Sequence, residues 1–234
     1  MQQPGYHIFP LGDAGLTISF GETMDISVNE RVIALFYHLQ ELRLSFVLDV
    51  VPAYSSLTLY YDVVQIKGMQ IEQLAFDYVV AQLHSIIQST ASVKPRSSSA
   101  IRIPVCYDAE YGPDLELLSA LKGCSEAEII QWHISKTYRV YMIGFLPGFP
   151  YMGTVDERLA TPRKAEPRTH VPAGSVGIAG MQTGIYPVAS PGGWQIIGRT
   201  PLILFDQQRS NPVLLKPGDE VEFYAITKDE FENY

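Results

Sequence analysis

Three cations stand within six residues near the middle of this chain: Arg163, Lys164 and Arg168. Arg163 and Arg168 each follow a proline. Proline fixes the local φ, so each guanidinium starts from a stiff backbone. A guanidinium presents a planar fork of donors that fits a carboxylate or a phosphate, and a lysine adds a point charge. From Arg158 to Arg199 there are five basic residues and one acid, Glu166, a local net charge of +4 in a chain whose formal charge is -8. Such a segment fits a small anionic ligand or an acidic partner surface, and solvated loop charge explains it equally well. Downstream, Gln182-Thr183-Gly184-Ile185-Tyr186-Pro187 and Ser190-Pro191-Gly192-Gly193-Trp194 set amide, phenol and indole groups beside backbone that glycine allows to come close. Apolar walls with a few polar handles describe a small-molecule site. They also describe an aromatic hot spot for a protein partner. The candidates are therefore Arg163, Lys164 and Arg168 for charge, and Gln182, Tyr186 and Trp194 for orientation.

Other chemistries fare worse. Ala173-Gly174-Ser175-Val176-Gly177 approximates the nucleophile elbow of hydrolases, but Pro172 precedes it and no helical period follows, so a turn is expected. The Gly174, Gly177, Gly180 spacing is not the dinucleotide fingerprint, and no G-x-x-x-x-G-K-[ST] loop occurs. Any nucleotide must be held by other means or by a partner. His7, His38, His84, His133 and His170 are scattered, none at metal-ligand spacing. His170 alone lies in the cationic stretch, where a structural role is the simpler reading. Cys106 and Cys124 read as buried reduced thiols of an intracellular protein.

The element that must position the candidates is Gly144 to Thr200. Its 57 residues hold 10 Gly and 7 Pro, half of the chain's 18 Gly and 16 Pro. In helix interiors Gly and Pro cost roughly 1 and 3 kcal/mol each, so the stretch is not helical. Aromatic and large apolar residues run through it, so it is not a flexible linker either. Short strands and ordered loops around a pocket remain, with Pro147, Gly148, Phe149, Gly174, Ser175, Gly192 and Gly193 shaping the loops.

Before that stretch, residues 6–10 and 15–20 alternate about a Leu11-Gly12-Asp13 turn, a hairpin pattern. Ser27-x-x-Glu30 reads as a capping box ahead of Val32, Leu35, Phe36 and Leu39. Strands are expected at 46–51 and 57–64, and an amphipathic helix from Ile71 to Ile86. The order ββαββα predicts an α+β sandwich of one sheet with two helices over residues 1–90. Ser89 to Ser99 is polar and aperiodic, which sets a linker at 91–99. Residues 100–234 then form a second domain. It is expected to hold a strand at 101–106, a helix opened by Gly112-Pro113-Asp114 and closed by Gly123, and a capping box at Ser125 and Glu128. A strand at 136–145 and a hairpin at 213–226 about Lys216-Pro217-Gly218-Asp219 complete it. Many short strands and few helices predict a mainly β barrel, closed or nearly closed. The acidic balance argues against nucleic acid, and no 18-residue apolar run or signal-like start argues for a membrane or export, so a cytoplasmic protein is expected.

PGFPYMG, TPRKAEPRTHVPAGSVGIAG, QTGIYP and SPGGWQIIGRTP together resemble the signature of the allophanate hydrolase subunit 1 family. VVPAYSSLTLYYD and LKPGDEVEF extend the resemblance over nearly the whole chain. That family includes the B component of bacterial 5-oxoprolinase and the Kip-type inhibitor of a sporulation sensor kinase. Its members also resemble one half of the carboxyltransferase domain of urea carboxylase. The resemblance implies a cyclophilin-like barrel without isomerase activity. It implies one component of an ATP-dependent hetero-oligomeric enzyme that opens the 5-oxoproline lactam to L-glutamate, together with a C component and a third, lactam-utilisation component. Kinase inhibition and a carboxyltransferase half are the alternatives. It implies ATP, held at or across the partner interface or wholly on the partner, and no metal site is identified in the sequence. The five-membered amide is stable, and phosphorylation of its oxygen makes it a better electrophile. That chemistry calls for cations and carboxylate donors, the roles open to the six candidates.

Overall fold

In the computed structural model, which describes residues 5–90 and 99–234, the opening hairpin forms as strands β1 (His7–Pro10) and β2 (Gly15–Ser19). Helix α1 (Ile26–Leu42) follows, then strands β3 (Val47–Pro52) and β4 (Ser56–Tyr61) and helices α2 (Val63–Gly68) and α3 (Ala75–Thr90). The sheet is antiparallel in the order β1-β2-β4-β3. Leu16, Ile18, Leu57, Leu59 and Tyr61 point from it into a core completed by Val32, Leu35, Phe36 and Leu39 of α1 and Val79 and Leu83 of α3. On the opposite face Thr17 and Thr58 share a hydroxyl hydrogen bond of 3.1 Å and Tyr60 is exposed.

Several local expectations need correction. The β-branched run at 57–64 is cut short because the Asp62 carboxylate accepts from Gln65 N at 2.9 Å and caps α2, which takes Val63 and Val64 into a helix. The ββαββα order therefore gains a helix, and α3 begins at Ala75 rather than Ile71. The cap of α1 is Asp25, which accepts from Val28 N, while Ser27 donates its hydroxyl to that carboxylate. An ionised carboxylate outcompetes a hydroxyl for the open N–H groups of a helix start. Ser89 and Thr90, read as the start of the linker, close α3, both donating to Ile86 O. The linker expected at 91–99 lies, apart from residue 99, outside the described residues.

The chain divides into two units, Met1–Ser97 and Ser98–Tyr234. The second carries strands β5 (Ile101–Cys106), β6 (Thr137–Ile143), β7 (Pro150–Gly153), β8 (Arg168–Val171), β9 (Ser175–Ala179), β10 (Gln182–Ile185), β11 (Ser190–Gly192), β12 (Gln195–Arg199) and β13 (Glu220–Ile226). Seven of these close a barrel in the order β10-β7-β6-β13-β5-β12-β9, and β8 pairs with β11 in a separate ribbon. The barrel matches the closed architecture read from the strand pattern. Its helices are α4 (Leu115–Lys122), α5 (Glu126–Ile134) and α6 (Lys228–Glu232). Gly123 ends α4 in a left-handed conformation at φ 65, and Ser125 with Glu128 forms the expected capping box on α5. The 213–226 hairpin does not form. The Lys216–Asp219 turn is present, but β13 pairs in parallel with β5 and antiparallel with β6, while Val213 makes only a bridge to Phe205. Closing the ring requires a partner for the β5 edge, and β13 supplies it.

One chain of hydrogen bonds runs among the buried residues of the barrel unit. His133 of α5 is fully buried, with Nδ1 2.8 Å from the Tyr107 hydroxyl and Nε2 3.0 Å from Thr183 Oγ1. Thr183 donates onward to Gly177 O at 3.1 Å. A carbonyl only accepts, which fixes the direction of the relay. His133 donates from Nε2 and its Nδ1 accepts from Tyr107. Its ring stacks on Phe223 at 4.6 Å between centroids, and burial lowers its pKa to about 3. It is a neutral structural histidine. Among the described residues no helix is long and apolar enough to cross a membrane.

Candidate functional site

Asp114 is the hub of the site. It stands where α4 begins, yet its side chain makes no capping bond. Oδ1 instead accepts from Arg168 Nη2 at 2.6 Å and from Lys164 Nζ at 3.0 Å, and Oδ2 accepts from Ile196 N at 2.6 Å. Asp114 N donates to Ile196 O at 3.0 Å, which ties the loop before α4 to β12. The residue is 2% exposed. Burial acts to raise its pKa, but the hydrogen bonds from Arg168, Ile196 and Lys164 outweigh that and hold the carboxyl below the usual range. The side chains of Lys164 and Arg168 keep about a quarter of their surface open, at 25% and 26%. Arg168 Nη1 is buried with no hydrogen-bond partner among the described residues. Two cations meeting one carboxylate leave one positive charge in excess.

Beside this cluster lies an aromatic one built wholly from the Gly/Pro-rich stretch: Phe149, Tyr186 and Trp194 with Val171, Ala179 and Ile196. Phe149 is its centre, edge-to-face with Tyr186 at 5.2 Å and with Trp194 at 5.3 Å. Such pairs contribute about 0.5–1.5 kcal/mol each beyond burial. A turn delivers Phe149. Its N–H bonds to Leu146 O at 3.0 Å, Pro147 holds the second position, and Gly148 the third at φ 82. This is the type II pattern, in which only glycine sits without strain at the third place. Tyr186 is held by backbone: its N–H donates to Ser175 O at 2.9 Å, and its carbonyl accepts from Gly174 N at 2.7 Å. A Cβ on Gly192 would collide with the Tyr186 hydroxyl. Burial raises the Tyr186 pKa, opposed by a bond from the Trp194 backbone and by the charges of Arg163 and Arg168. The Arg163 guanidinium lies 6.0 Å from the Trp194 ring centroid. Lys164 N donates to Gly193 O at 2.7 Å, and Gln195 Nε2 to Pro162 O at 3.1 Å, so the cationic loop is pinned to the start of β12.

The structure thus brings together Arg163, Lys164, Arg168, Tyr186 and Trp194. It sets Gln182 apart, at the end of β10 remote from Tyr186 and opposite Gly153 and Ala179. Two further cations of the +4 segment are engaged elsewhere. Arg158 pairs with Asp156 at 2.8 Å and lies 4.3 Å above the Trp132 ring, and Arg199 donates to Ala173 O at 2.7 Å. Asp114 and Asp156 lie outside that segment, so counting along the sequence overstates the field. Ser175 is buried at the start of β9, a strand followed by β10 and not by a helix, so no nucleophile elbow exists. His170 faces outward on β8. Among the described residues no three His, Cys, Asp or Glu side chains gather as a metal site would require. Sequence reasoning missed Asp114, because Gly-Pro-Asp before a helix looks like an ordinary cap.

A family model described as carboxyltransferase domain, subdomain C and D, matches residues 6–215. The chain belongs to this family. Within the carboxyltransferase C and D family its relatives are specific. It is 40% identical over 231 residues to the B component of 5-oxoprolinase from Bacillus subtilis (strain 168), covering 98% of this chain and 96% of that one. It is 51% identical over 152 residues to the B component of 5-oxoprolinase from Escherichia coli O157:H7, covering 65% and 69%. A crystal structure of a conserved uncharacterised protein from Pyrococcus horikoshii superposes with a TM-score of 0.56 at 42% identity, covering 96% of this chain and 100% of that chain. As a family member, this chain offers a pair of cations about a quarter exposed, with a buried aromatic cluster beside them. Such cations, set beside buried rings, can hold a small anion.

Proposed function

We propose that this chain is the B component of an ATP-dependent 5-oxoprolinase and that its barrel unit binds the anionic end of the substrate. The end-to-end likeness to the Bacillus subtilis protein carries this reading. 5-Oxoproline is a flat five-membered lactam bearing one carboxylate. The carboxylate fits the remaining donors of Lys164 and Arg168, whose side chains are about a quarter exposed. Water opens the amide to give glutamate while ATP goes to ADP and phosphate. Neither familiar phosphate loop occurs in this sequence, so the nucleotide is assigned to the complex, at the contact with the C component or with the lactam-utilisation component. The chain is inactive alone, and an ATP-consuming reaction places the complex in the cytoplasm.

The test is reconstitution. Purified components mixed with 5-oxoproline and ATP should release glutamate, with no product when this chain is left out. Failure to form product with every component present overturns the proposal. Arg168→Ala should lower kcat/KM at least tenfold, and a change within twofold rules out the anion role. The family description supports a second reading, one half of a carboxyltransferase. Transfer of a carboxyl group from a biotin carrier, without glutamate formation, would establish it.

A further inference from the structure

We propose that Asp114 is a positioning residue: it aims the Lys164 ammonium and the Arg168 guanidinium at the substrate's carboxylate. This rests on the reading above that those two cations bind the substrate. A carboxylate that is 2% exposed costs several kcal/mol to desolvate, and a helix start needs no such burial, since water or a serine caps one well. Here the side chain leaves the helix N–H groups without its help and turns away to the cations. One oxygen gathers both cations, and the other is locked at 2.6 Å by Ile196 N, in the β12 segment that carries the aromatic cluster. The carboxylate is thereby fixed to the barrel, and the cations are fixed to the carboxylate.

The donors left over point to what the arrangement is for. Arg168 spends Nη2 on Asp114 and keeps Nη1 buried without a partner among the described residues. An unpaired guanidinium nitrogen held away from water is costly unless a ligand oxygen completes it. Lys164 uses one of its three N–H groups on Asp114. Each cation thus offers at least one further donor from a head group whose direction is already set. Holding donors in place before the substrate arrives removes the ordering cost from binding. Asp114 itself has no need to touch the substrate. Without it the two cations would repel, lose their shared anchor and swing into solvent.

The experiment uses the reconstituted complex with Asp114→Asn and Asp114→Glu in this chain. Asparagine keeps an acceptor for Ile196 N and loses the charge. Glutamate keeps the charge and displaces it by one methylene. Initial rates give kcat and KM for 5-oxoproline and for ATP, normalised to the folded complex that elutes from a sizing column. In the folded variants KM for 5-oxoproline should rise at least tenfold while KM for ATP stays within twofold. Arg168→Ala, run in parallel, should show the same pattern. If Arg168→Ala raises KM and both Asp114 variants leave it within twofold, positioning is overturned and the anion site stands. If Arg168→Ala changes nothing, the anion site falls and the proposal falls with it. If the wild-type complex makes no glutamate, the enzyme reading fails. If neither Asp114 variant yields folded complex, or both lower only its amount, Asp114 is structural and the proposal is overturned.

Discussion

His133→Gln should make the barrel unit less stable at pH 7 and far less sensitive to acid between pH 7 and 5. In the folded chain the imidazole stays neutral down to about pH 3, because burial among Tyr107, Tyr138 and Phe223 penalises its charged form. In the unfolded chain it titrates near the free value of 6.5. A base whose folded pKa is depressed draws protons to the unfolded state first. Its contribution is therefore intact above about pH 6.5 and declines as pH falls toward about 3. Between pH 7 and 5 the unfolded state takes up most of one proton that the folded state refuses, which amounts to about 2 kcal/mol from this one side chain. Glutamine removes the titration and keeps one donor and one acceptor, at a cost of about 1–3 kcal/mol for imperfect bonds to Tyr107 and Thr183. The assay is urea unfolding followed by tryptophan fluorescence. The chain has 2 tryptophans, Trp132 and Trp194, and both lie in the barrel unit, so the signal is selective. Carboxylates that also titrate contribute equally to both proteins and cancel in the difference. The pH 7 to 5 loss should be about 2 kcal/mol larger in the wild type than in His133→Gln. A difference below about 0.5 kcal/mol would mean that the ring is already charged in the fold or is reached by water, and would refute the relay as drawn.

Three further outcomes follow from the same geometry. Gly192→Ala drives a Cβ into the Tyr186 hydroxyl and should cost about 1–3 kcal/mol in fluorescence-detected unfolding, whereas Gly144→Ala, with nothing within 4 Å of its new Cβ, should stay within about 0.5 kcal/mol. Phe149→Ala removes the centre of the aromatic cluster and should cost about 3–5 kcal/mol by the same measurement, with ring-stacking signals in the near-ultraviolet circular dichroism lost. Asp25→Ala should lower the melting temperature of the sheet-and-helix unit, and Ser27→Ala by clearly less, in far-ultraviolet circular dichroism melts. The reverse order would reinstate Ser27 as the cap.

The barrel was legible in the sequence because its strands are short, β-rich and punctuated by glycine and proline at positions a helix rejects. The aromatic cluster was legible for the same reason: Phe149, Tyr186 and Trp194 stand out against polar loops, and they meet. The opening hairpin was legible, but long-range strand partners were not. The 213–226 hairpin failed because pairing is decided by which edge lies open across the fold, and the β5 edge is about 120 residues away in sequence. Nor was the carboxylate beneath the cations. Asp114 is separated from Lys164 and Arg168 by about 50 residues and is disguised by a cap-like context. Val63 and Val64 show the same limit at short range, where one aspartate cap outweighs two residues with strand preference.

β13 sits between β5 and β6, so two strands that come early in the barrel unit are bridged by one made more than 75 residues later. A nascent chain that has emerged as far as β12 therefore carries a ring with a missing stave, its interior residues Ile103 and Tyr138 open to whatever is nearby. The sheet of the first unit has no such gap, since each of its pairings lies within its first 61 residues. Synthesis should accordingly produce one finished unit trailing one unfinished one, with a window of vulnerability that shuts when Val221 and Phe223 slot into place.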